Sequence, residues 1–160
     1  MKKKILILVF LINFIALLPL FGNTELIGQL TKQQILESFP DWQEQMSSYL
    51  PKAEFIEKLH SIKWPVKIDV FLGTWCPDSK EHVSDYFKII EMADNPNIIT
   101  NYIGIPRDKG SRQPFIEGKD IERIPTFIIY INNKEKGRIV EHPKTSVEED
   151  LADIILKAVL

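Results

Sequence analysis

One cysteine, Cys76, stands in the run Trp75-Cys76-Pro77-Asp78-Ser79. An apolar stretch, Val66 to Leu72, leads into it, and a helix-like segment follows. The thiol is therefore expected at the end of a buried strand and at the start of a helix. A helix N-terminus stabilises negative charge, so this thiol is expected to ionise more readily than a free one. Pro77 suits the first turn of that helix, because the donor it lacks would be orphaned there. Asp78 is an acid favoured by the helix dipole, and its charge opposes thiolate formation. Ser79 stands where a dithiol motif would carry its second cysteine. It either donates a hydrogen bond to the thiolate or is an ordinary helix residue. The chemistry is that of a redox thiol that cannot close a disulfide within its own motif.

Other chemistries find little support. His60, His82 and His142 are dispersed, and one cysteine with three scattered histidines has no zinc spacing, so no metal site is expected. His82 follows Cys76 by six residues, an offset that does not share a helix face, so a cysteine hydrolase would need a base brought in by a contact the sequence does not show. No phosphate loop or dinucleotide fingerprint is present, and no cofactor is expected.

The elements around the thiol follow from pattern. Thr31-Lys32-Gln33-Gln34 is a capping box that starts a short helix up to about Phe39, where Pro40 breaks it. A second short helix spans about Asp41 to Leu50. A third starts with Pro51 in its first turn and carries Phe55, Ile56 and Leu59 on one face. Strands are expected at Lys67–Leu72, Asn97–Ile105 and Thr126–Ile131, with a helix from Pro77 to about Ala93. Residues 106–123 read as a loop. Residues 132–137 read as a turn into a strand at Arg138–Glu141, which makes a hairpin. Ser146-Val147-Glu148-Glu149 is a second capping box, and Leu151, Ile154, Ile155 and Ala158 form the stripe of a closing helix. The fold class is α/β: a mixed central sheet flanked by helices, with an N-terminal helical extension.

The chain has 160 residues, of which 44% are apolar, enough for one globular domain and an addressing segment. Lys2, Lys3 and Lys4 precede a nearly unbroken apolar run from Ile5 to Phe21, which reads as a secretory signal peptide over residues 1–22. An uncleaved membrane anchor is the alternative, although Asn13 and Pro19 and a span short of about 20 residues weaken it. Residues 23–65 would form the helical extension and 66–160 the main domain. Removing three lysines and no acid takes the formal net charge from −2 to −5, which disfavours nucleic-acid binding. The expected location is exported, periplasmic or extracellular, with membrane contact only through the N-terminal segment. One cysteine cannot staple such a domain, so its thiol is free for intermolecular chemistry.

Trp75-Cys76-Pro77-Asp78 after an apolar strand resembles the active-site segment of the thioredoxin-like family. Ile124-Pro125-Thr126 resembles that family's cis-proline loop, and the order of elements after Lys67 is similar as well. The resemblance implies that Cys76 is the attacking thiolate, exposed at the helix N-terminus, with Pro77 shaping the turn. Trp75 would shield one side of the sulfur and contact a partner. Pro125 would be cis and beside Cys76, leaving backbone groups near Ile124 and Thr126 free to pair with an extended peptide. Two departures matter. Ser79 replaces the resolving cysteine, and Val70 stands where dithiol members commonly carry a buried acid, with Asp69 turned to the opposite face. The implied function is monothiol exchange with protein or low-molecular-weight thiols and disulfides, completed by an external thiol. A non-catalytic peptide- or protein-binding module is the alternative.

Overall fold

The structure is a computed structural model, and it describes residues 25–158. The leader expected at residues 1–22 lies outside the described residues. Among the described residues, no helix is long and apolar enough to cross a membrane.

The apolar run before the cysteine forms the central strand β2, Val66–Leu72. Here β1 (Gly28–Leu30), β3 (Ile98–Gly104), β4 (Thr126–Ile131) and β5 (Lys134–Val140) complete a five-stranded sheet ordered β1-β3-β2-β4-β5. β2 runs parallel to β3 and antiparallel to β4; β1 and β5 close the two edges antiparallel. The connection between the parallel strands is helix α4, Pro77–Ala93, so the sulfur residue sits at the strand-to-helix junction. The α/β class and the mixed sheet expected from the sequence are those of the molecule.

Strand alternation divides the apolar residues between two faces. Val66, Ile68, Val70 and Leu72 pack with Val83, Tyr86 and Phe87 of α4 and with Leu151 and Ile155 of α6 (Val147–Lys157). Phe71 and Ile128 form a smaller cluster with Cys76, Ile105 and Ile124. It is covered by Phe115, Ile116 and Ile121 from the segment after β3. That segment, read as a loop, contains one 3-10 turn, Lys109–Ser111, and a four-residue helix α5, Gln113–Ile116.

The N-terminal helices α1 (Lys32–Ser38), α2 (Pro40–Ser48) and α3 (Ala53–His60) share the larger core through Ile35, Trp42, Met46 and Leu59. Thr31 caps α1 with the reciprocal bonds of a full capping box. At Ser146 only half of the box forms. The hydroxyl accepts from the Glu149 N–H, while the Glu149 carboxylate pairs with Lys52. Pro51 precedes α3 rather than opening it, because the cap is Lys52. Asn95 Nδ2 donates to the carbonyls of Leu59, His60 and Ile62, which ties the end of α3 to the α4–β3 turn.

Two strand features depart from the sequence reading. β1 was not expected: it has three residues and starts at Gly28 with φ of 86°. The hairpin turn is shorter than 132–137. Asn132 and Asn133 both have positive φ, 54° and 59°, the conformation of a two-residue type I′ turn, so β5 begins at Lys134.

Candidate functional site

Cys76 is the N-cap residue of α4, with extended backbone dihedrals and Pro77 next. Its N–H donates to the Gly73 carbonyl at 2.9 Å, and its own carbonyl accepts from Lys80 at 3.0 Å. These bonds fix the sulfur against the loop before β4. The Ile124–Pro125 peptide is cis, and the Cys76 Sγ–H donates to the Ile124 carbonyl at 3.7 Å.

The sulfur is less open than its position implied. Cys76 is only 9% exposed, packed with Phe71, Ile105, Ile124 and Ile128. The expectation of an exposed thiol is therefore corrected. The segment after β3 folds over this face of the sheet and covers it. Cys76 still lines a cleft of about 440 Å³, with Thr74, Trp75 and Pro77 beside it and Trp42 and Arg107 across it.

Each expected neighbour has a specific partner. Trp75 Nε1 donates to the Ile105 carbonyl at 3.0 Å, and the guanidinium groups of Arg107 and Arg112 lie 5.3 and 5.4 Å from its ring centre. The indole is thus held beside the sulfur by a hydrogen bond and two cation–π contacts. Pro77 is exposed. Ser79 is wholly buried, and its Oγ accepts the Gly73 N–H at 3.1 Å. It secures the bend before the cysteine, which is a different partner from the expected thiolate. Thr126 is buried as well, and its hydroxyl donates to the Arg123 carbonyl at 2.6 Å. The Pro125 carbonyl is occupied by the Glu141 N–H at 2.7 Å. The backbone expected to be free for a visiting peptide is thus partly engaged within the chain.

Val70 is fully buried in the larger core, on the α4 face. Asp69 faces the opposite way. It accepts from Asn101 Nδ2 at 2.8 Å and pairs with Lys67 and Lys119 at 3.2 and 3.8 Å, so its charge is compensated locally.

Several residues at the site escaped the sequence reading. Glu25 lines the cleft and its carboxylate accepts the Arg107 N–H at 2.9 Å, while the Leu26 N–H donates to Thr74 Oγ1 at 3.1 Å. Asp41 and Lys80 pair at 2.7 Å across the α2–α4 interface and also line the cleft. Contacts between residues this distant in sequence leave no local pattern. The histidines are a second case. His82 and His142, read as scattered, meet with Nε2 and Nδ1 3.1 Å apart. Burial, chiefly, lowers the His82 pKa; Glu81 opposes the shift and His142 adds to it.

No curated protein matches the chain. Among solved structures, an HIV epitope-scaffold superimposes with a TM-score of 0.55 at 21% identity, over 78% of this chain and 84% of that one. A Pseudomonas aeruginosa protein of unknown function gives 0.49 at 20% identity, over 79% and 74%. A mutant thioredoxin from Halobacterium salinarum gives 0.44 at 14% identity, over 69% and 87%. The likeness to the scaffold is one of fold alone. The sequence pattern described as Thioredoxin matches residues 31–153, from the cap of α1 into α6, and the chain belongs to the thioredoxin family.

Proposed function

We propose that the protein is an exported thiol-disulfide oxidoreductase that works through the single thiol of Cys76. The observation that carries this reading is the placement of the only cysteine as the N-cap of a 17-residue helix, on the wall of a cleft and against the Ile124 carbonyl. The thiolate is the attacking species in such exchange. The thiolate attacks one sulfur of a partner disulfide. The Cys76–partner bond forms, the partner's S–S bond breaks, and the released thiolate takes up a proton. An external thiol then attacks the mixed disulfide, leaves with the partner sulfur and returns Cys76 to its reduced form. Ser79 supplies no resolving sulfur, so the mixed disulfide persists until that thiol arrives. Trp75 and the two arginines over it form the wall a partner would meet. Export through residues 1–22 is part of the proposal.

Glutathione disulfide is the direct probe. The folded full-length chain is expected to gain one glutathione by mass, to lose it on adding dithiothreitol, and to gain none as Cys76→Ser. A chain that gains the adduct only after unfolding contradicts the proposal.

The low exposure of Cys76 and the engagement of Ser79 by Gly73 favour a second reading, a binding module that uses the cleft without thiol chemistry. Under that reading, capture of partner proteins from the exported fraction is equal for Cys76→Ser and the natural chain. Under the oxidoreductase reading, capture depends on the thiol and is released by reductant.

A further inference from the structure

Asp78 and His82 are four residues apart on α4, so their side chains leave the same helix face. Glu141 and His142 follow β5 directly, where Glu141 turns the chain with φ of 63°. Backbone bonds hold this corner. The Glu141 N–H donates to the Pro125 carbonyl and the His142 N–H to the Val140 carbonyl, each at 2.7 Å. One ligand atom from each of Asp78, Glu141 and His142 lies within 4.8 Å of the other two. A separate contact braces the histidine of this trio. His82, only 8% exposed, places Nε2 3.1 Å from His142 Nδ1.

We propose that Asp78, Glu141 and His142, with His82 holding the imidazole of His142, form a binding site for a divalent transition-metal ion of the zinc type. Zinc bonds to imidazole nitrogen at about 2.0–2.1 Å, which sets neighbouring ligands of a tetrahedral site about 3.3 Å apart. The three ligand atoms, within 4.8 Å of one another, would close towards that separation on an ion, with water in the fourth position. An imidazole with two carboxylates suits zinc and its neighbours, whereas calcium and magnesium favour oxygen ligands throughout. The hydrogen bond between the two rings fixes the orientation of His142, as outer-shell partners of a ligating imidazole do. The two carboxylates balance the ion's charge. Arg123, paired with Glu141, orients that carboxylate from outside, as outer-shell groups do. The ion would pin the first turns of α4, which follow Cys76, to the corner that holds the Pro125 carbonyl. The site stands on its own donors and does not depend on thiol exchange at Cys76.

The test is a titration of zinc chloride into the full-length, chelator-treated chain carrying Cys76→Ser, which removes the thiol as a competing ligand. Calorimetry is expected to show one ion per chain, with a rise in melting temperature that magnesium chloride does not give. Adding His142→Ala or Asp78→Asn is expected to weaken binding about tenfold or more, while His60→Ala changes nothing. Both ligand positions lie outside the buried core, so their folding is checked by circular dichroism. Absence of saturable binding, or binding that neither His142→Ala nor Asp78→Asn weakens, overturns the proposal. In that case the two imidazoles are a structural hydrogen-bonded pair.

Discussion

Ser79 occupies the third position of α4, where a second sulfur would resolve a mixed disulfide, yet its hydroxyl is spent on the Gly73 N–H. Two substitutions separate its structural and chemical parts. Ser79→Ala leaves that buried N–H without an acceptor and is expected to cost about 1–3 kcal/mol in urea unfolding. Its mixed disulfide should remain as long-lived as that of the natural chain. Ser79→Cys supplies the missing thiol. After glutathione disulfide treatment that variant should end with an internal disulfide between Cys76 and the introduced sulfur, the glutathione released, read by mass. Asp85 sets a pH dependence. Burial, against a bond donated by Gln45 at 3.1 Å and with Glu81 and Glu148 nearby, pushes its carboxyl up to about 6. An acid with a raised folded-state pKa binds its proton more tightly when folded. Its ionisation therefore destabilises the fold above pH 6, and the loss is recovered as pH falls through 6 towards 4. Asp85→Asn keeps an acceptor for Gln45 without the charge. It should exceed the natural chain by about 1–2 kcal/mol at pH 7, with the gap closing near pH 4, measured as urea midpoints across pH.

At the scale of elements, the caps and the central strands were legible in the chain. Thr31 with Gln34 announced α1, and the reciprocal bonds are present. Thr31→Ala is expected to lower stability by about 1 kcal/mol, seen as a lower urea midpoint with an unchanged slope. β2, α4 and β4 were readable because each combines an unbroken apolar pattern with a clear stop. β1 was not, because three residues beginning at Gly28 carry no alternation and gain their strand character only from β3. The start of β5 was hidden for another reason. Lys134, Glu135 and Lys136 are polar because an edge strand exposes them, and exposed polar residues beside two asparagines look like turn. Ser146 shows that a motif states a possibility only. Its partner Glu149 pairs instead with Lys52, the cap residue of the distant helix α3.

Across the whole molecule, Trp42 joins the N-terminal helices to the sheet's covering helix. It is 1% exposed, and its ring centre lies 6.5 Å from that of Phe87 in α4. Trp42→Ala is expected to cost about 3–5 kcal/mol and to lower a single unfolding transition rather than split it, followed by fluorescence and circular dichroism together. The position of the thiol was visible from its own five residues. Its degree of cover was not, because Phe115, Ile116 and Ile121 reach that face from a segment with no periodic pattern. The same holds for Glu25 and Arg107 at the cleft and for the paired histidines. Their nearness comes from the folded topology, which brings the chain after β3 and after β5 back to the start of α4.

Under the proposed function, folding leaves the Cys76 sulfur available for exchange through its cleft. The rate at which 5,5′-dithiobis(2-nitrobenzoic acid) reacts with that thiol, compared between the native chain and the chain in denaturant, tests it most directly. The expected native rate lies within about a hundredfold of the denatured one, slowed by the partial cover of the sulfur but independent of global stability. A native rate slower by about a hundredfold or more, rising in step with destabilising substitutions such as Trp42→Ala, would mean that the sulfur reacts only when the protein opens, and would contradict it.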